Sequence, residues 1–107
     1  MSIAVEPLVF LAGVNTFGME DEGWELSDLN EEEDKRVFKS AVLFNQAFRS
    51  GPVVHVGLAG LDVSNHDSAR LKVRAENIST QGFDVVIETW LNSKVWSVDV
   101  SWLAVGS

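Results

Sequence analysis

The sequence predicts an all-β fold, a six-stranded antiparallel β-sandwich, and three observations carry that expectation. Apolar and polar residues alternate with a period of two almost throughout: Leu71, Val73 and Ala75 share one face of a segment whose other face holds Arg70, Lys72, Arg74 and Glu76. That period marks half-buried antiparallel strands. No segment carries a sustained helical period with caps. Short turn-forming stretches separate several of the alternating segments, as paired sheets packed face to face require.

The six strands are expected near 7–14, 36–45, 53–62, 69–78, 82–90 and 94–105. The first three are apolar segments broken by small or polar residues, the third starting after Pro52 and carrying His55 on a polar face. The fourth is the Leu71–Val73–Ala75 alternation. In the fifth, Phe83, Val85 and Ile87 face the core and Asp84, Val86, Glu88 and Trp90 face away. In the sixth, Trp96, Val98, Val100, Trp102 and Ala104 alternate with Ser97, Asp99 and Ser101. Ser79–Gly82, with its glycine, and Leu91–Ser93, with its asparagine, read as hairpin loops. The stretch 17–35 has no strand pattern, and a loop so long in a small domain is functional or disordered. Trp24 argues for order, as a hydrophobic pin to the core.

At 107 residues the chain is expected to form one domain, 1–107. Its net charge is −8, and nine of the sixteen acids crowd into residues 20–34. A nucleic-acid partner needs clustered cations to displace counterions, and none are clustered here. With no cysteine there is no disulfide framework or thiolate metal site. The start "MSIAVEPLVFLAG" lacks a basic n-region and the apolar runs are far short of a membrane span, so the expectation is no signal peptide, no membrane insertion and a cytoplasmic or non-classically secreted protein.

Catalytic signatures are absent. No serine or cysteine sits in a nucleophile-elbow context, and a lone strand histidine such as His55 is more often structural. The acids of the long loop are solvated, so nothing raises one pKa selectively. "DVSNHD", residues 62–67, spaces oxygen ligands like a calcium loop, but His66 and Val73 stand where the glycine and the bidentate glutamate belong. No metal and no cofactor are expected, and no enzymatic activity.

Trp90 is different. It ends its strand on the less apolar side, and Arg70 reaches the same sheet edge. An indole stacks on the C–H face of a sugar, a guanidinium donates a fork of hydrogen bonds to vicinal hydroxyls, and a carboxylate accepts from them. From the residues alone, Trp90 serves a sugar site or an oligomer interface. The charged set Lys72, Arg74, Glu76, Glu88 and Asp99 leads to a further expectation, that some of these residues pair across subunits.

"PVVHVGLAGLDVSN", "ARLKVRAENISTQGFDVVIETW" and "KVWSVDVSWLAVG", with the earlier "EGW" and "VLFNQAF", resemble the H-type lectin family from about Gly13 onward. The resemblance implies a six-stranded sandwich assembling as a trimer, sometimes a hexamer, that binds galactose or N-acetylgalactosamine glycans without metal. It implies Arg70 and Trp90 as carbohydrate-binding residues, joined by an acid whose position falls on Glu33, with Asp34 the close alternative. The residue after the "TW" pair, here Leu91, is often polar in the family and helps select the acetamido group. Trp96 stands where the family often has tyrosine and is expected near a subunit contact beside the site; Trp102 is expected in the core.

Overall fold

The computed structural model describes residues 7–28, 35–64 and 68–107. It contains six strands in two antiparallel three-stranded sheets: β1 (Val9–Gly18), β2 (Arg36–Leu43), β3 (Val53–Val63), β4 (Lys72–Glu76), β5 (Gly82–Thr89) and β6 (Val95–Gly106). One sheet has the order β1-β6-β3 and the other β2-β5-β4. Among the described residues, no helix is long and apolar enough to cross a membrane.

The inward faces meet as the alternation requires. Phe17, Phe38, Val42, Phe83, Val85, Ile87, Val98 and Val100 form the buried cluster, with Leu71, Val73 and Ala75 packed against it. Trp102 joins them: its ring lies 5.6 Å from that of Phe83 and 5.7 Å from that of Phe44, and its indole N–H donates to Asn15 Oδ1 at 2.9 Å. Gly13 makes room for it, since a Cβ there would stand 2.8 Å from the indole.

Two expectations are corrected. The segment Leu91–Ser93 is not a hairpin loop, because β5 and β6 lie in different sheets and the chain crosses the sandwich between them. Ile87 and Val95 are both fully buried, so each strand turns its apolar face toward the other and pairs elsewhere. Trp96 does not share a face with Val98. Asp62 pairs Ser97 while Val63 pairs Val95, leaving Trp96 as the extra residue of a β-bulge. Val95, not Trp96, takes the core position.

The long connection after β1 is shorter than expected, since β1 runs on to Gly18. Trp24 pins it: the indole N–H donates to the Val95 carbonyl at 2.9 Å and the ring lies 5.0 Å from Phe38. Leu26, fully buried, accepts from the Val95 amide at 2.7 Å. The loop is thus tied to the start of β6, at the end of the sandwich where β5 also stops.

Candidate carbohydrate-binding site

At that end, β4 and β5 pair with Lys72 opposite Glu88. Continued by two residues, the same register sets Arg70 opposite Trp90. Local bonds hold this continuation although β4 itself starts at Lys72. The Thr89 hydroxyl donates to the Arg70 carbonyl, and the Arg70 amide donates to Ser93 Oγ at 3.0 Å. The guanidinium of Arg70 donates to the Ser68 carbonyl and to Asn92 Oδ1, each at 3.1 Å. The sequence placed Arg70 on the strand; the structure places it just before the strand, half-buried, braced by the crossing segment.

Trp90 is half-buried, and the Lys72 ammonium lies 5.4 Å from its ring centroid, a cation–π contact. Leu91 follows with φ at 58°, a left-handed conformation that bulky side chains avoid. The backbone turns across the sandwich at Leu91.

Glu33 and Asp34 lie outside the described residues, as do Asn65, His66 and Asp67 of the calcium-like turn. Lys35, next in sequence after Asp34, has its ammonium 3.6 Å from the largely buried Glu88 carboxylate. Trp96 lines an open groove of about 480 Å³ with Thr16, Gly18, Met19, Asp21 and Ser97, at the end of β1, and neither Arg70 nor Trp90 lines it.

The sequence reading missed Arg36. It sits at the start of β2, buried, and its guanidinium donates to four backbone carbonyls: Leu91 and Ser93 at 2.8 Å, Asp28 at 2.9 Å and Leu26 at 3.4 Å. Burial lowers its pKa, and the charge of Asp28 opposes that shift. One signal was available. Arg36 shares the parity of Phe38 and Val42, so a charge stood on the core face of the strand.

Elsewhere on the outer face of this sheet the charges are spent on each other. Arg74 bonds Glu76, and its Nη1 lies 3.1 Å from Glu88; Lys39 lies 3.7 Å from Glu76. The bonds to Glu76 and Glu88 raise the Arg74 pKa, and the bond from Arg74 holds the Glu76 carboxyl below its ordinary value. Asp99, expected on the same face, belongs to the other sheet, where it accepts from the Thr16 hydroxyl at 2.7 Å.

This end of the sandwich thus holds a braced arginine that the continued register sets opposite a tryptophan. Residues 39–105 match the family described as the H-type lectin domain. The chain is 38% identical over 72 residues to "ATP synthase subunits region ORF 7" of Fuscovulum blasticum, covering 67% of this chain and 63% of that one. It is 32% identical over 78 residues to Discoidin-2 of Dictyostelium discoideum, covering 72% of this chain and 30% of the relative. A solved structure of wild-type discoidin II from Dictyostelium discoideum superposes with a TM-score of 0.78 at 25% identity, over 98% of this chain and 39% of that chain. The chain belongs to the H-type lectin family, a class of carbohydrate-binding domains, and that family and fold point to a binding protein rather than an enzyme.

Proposed function

We propose that this domain binds glycans ending in galactose or N-acetylgalactosamine at the end of the β2-β5-β4 sheet. The observation that carries the reading is the bonding of Arg70 to Thr89 and Ser93, on either side of Trp90, where the β4–β5 register continued by two residues sets Arg70 opposite Trp90. Arg70 supplies donors to sugar hydroxyls, Trp90 an apolar ring, and Glu33 or Asp34 the accepting carboxylate. Leu91 offers apolar contact to an acetamido methyl in place of a hydrogen bond. Trp96, on its own groove, approaches a sugar from across a subunit contact. Neither metal nor cofactor takes part.

Binding of a single sugar through two or three polar contacts is weak, about −4 to −6 kcal/mol, so useful avidity comes from several sites on one rigid body. We propose a trimer, or a hexamer of paired trimers. The outer face of the β1-β6-β3 sheet supports that assembly: Phe10, Val105 and Val53 lie in one row across the strands, with Ala12, Leu103 and His55 in the next. Phe10 is 63% exposed and Val53 75%.

A second reading, an attachment module that keeps the fold without binding sugar, is favoured by Leu91 and by the ammonium already seated on the Trp90 ring. Retention on immobilised galactose or N-acetylgalactosamine, with elution by free sugar, decides between them. The lectin reading predicts retention lost in Arg70→Ala; the attachment reading predicts passage of the unaltered protein.

A further inference from the structure

We infer that Arg36 is a positioning residue for the carbohydrate site, fixing Trp90 and Arg70 through the two backbone segments it bridges. This rests on the site reading given above. The guanidinium reaches the Leu91 and Ser93 carbonyls on one side and the Asp28 and Leu26 carbonyls on the other. The first two belong to the segment that leaves β5 immediately after Trp90. The other two belong to the loop that Trp24 pins and that leads toward Glu33 and Asp34.

The link continues to Arg70. Ser93 is buried; its carbonyl accepts from Arg36 while its hydroxyl accepts from the Arg70 amide and donates to the Ser68 carbonyl at 2.9 Å. Every described hydrogen-bond acceptor of Arg36 is a main-chain carbonyl, so these bonds depend on backbone placement. Leu91 gives the clamp its work: a leucine at φ 58° relaxes toward the extended or helical regions unless its peptide is held, and its carbonyl is one of the four. A planar fork spans four diverging acceptors; a lysine ammonium, with three donors at one point, does not.

The test uses Arg36→Gln and Arg36→Lys beside Val42→Ala, a buried position at the opposite end of β2. Each is measured for thermal unfolding, for affinity toward methyl galactoside and methyl N-acetylgalactosaminide, and for amide exchange at residues 89–94. Arg36→Gln is expected to lose about tenfold or more in affinity and to speed exchange at 89–94, while Val42→Ala keeps its affinity at a comparable loss of melting temperature. Arg36→Lys is expected to recover stability more than affinity. Should Arg36→Gln fail to fold, Ser93→Ala, which leaves the clamp and removes the hydroxyl's bonds to the Arg70 amide and the Ser68 carbonyl, is expected to weaken binding several-fold. Affinity in Arg36→Gln, or in Ser93→Ala where that variant stands in for it, equal to that of Val42→Ala overturns the inference, as does unchanged exchange. An unaltered protein that binds neither sugar overturns the site reading instead, and exchange at 89–94 then judges the clamp alone.

Discussion

The two outer faces of the sandwich differ in what they leave unpaired. On the β2-β5-β4 face, Lys35, Lys39, Arg74, Glu76 and Glu88 satisfy one another within the chain. On the β1-β6-β3 face, Phe10, Val14, Val53 and Leu103 point to solvent. The charges therefore have little to offer a neighbouring subunit, whereas apolar surface of this kind marks an interaction site. The proposed assembly is therefore assigned to the apolar face, with pairing of the charged set across subunits as the rival that the variants below distinguish.

The largest effect should come from placing a charge in that face. Leu103→Asp is expected to convert the assembly to monomers in analytical ultracentrifugation without unfolding the chain, whereas Arg74→Ala should leave assembly intact. The reverse outcome would restore the charged face as the contact. Next comes Arg70→Ala. Hydrogen bonds from a charged group are worth roughly 1.5–3 kcal/mol each, so sugar affinity should fall by roughly tenfold to a hundredfold in calorimetry. Arg70→Lys should rescue poorly, for want of the planar fork.

A smaller effect concerns acid. Glu76 is held below its ordinary value by Arg74, so its contribution is present at and above the usual glutamate range and disappears as pH falls through the lowered value. The pair is exposed, so only a slight acid-side loss of stability is expected, abolished in Glu76→Gln. Assembly should persist through about pH 4.5, near the ordinary glutamate value, because the charges pair within the chain. Dissociation at that pH in scattering would count against the apolar interface. The smallest effect is at Leu91. Galactose and N-acetylgalactosamine should differ by about tenfold or less, since a lost hydrogen bond costs roughly 1–3 kcal/mol and a buried methyl returns about 0.8. Leu91→His should shift that ratio and tolerate the left-handed backbone better than leucine does. A strong preference unchanged in Leu91→His would remove this position from selectivity.

The strands were legible because alternation directly encodes a half-buried sheet, and Trp24 was legible as a pin because an indole in an acidic loop needs a partner. The crossing at Leu91–Ser93 was not. A short segment with an asparagine suits a hairpin, and only the packing of Ile87 against the buried face of β6 shows that the two strands belong to opposite sheets. The bulge at Trp96 was hidden for a related reason, since one inserted residue leaves the alternation intact on either side and changes only its phase. Arg70 and Trp90 were proposed from motif, and the β4–β5 register, continued by two residues, sets them opposite each other. Arg36 was visible only as a charge on the core face, and its described acceptors are main-chain atoms that carry no sequence signature.

The central claim, that sugar is held at the Arg70–Trp90 end of the β2-β5-β4 sheet, is most directly tested by nuclear magnetic resonance of the labelled protein titrated with N-acetylgalactosamine. The account predicts shifts in the Trp90 indole N–H, the Arg70 guanidinium and the amides of Leu91, Asn92 and Ser93, all lost in Arg70→Ala. Shifts confined to the opposite end, in the groove formed by Phe10, Leu43 and Trp102, or no shifts at all, would contradict it.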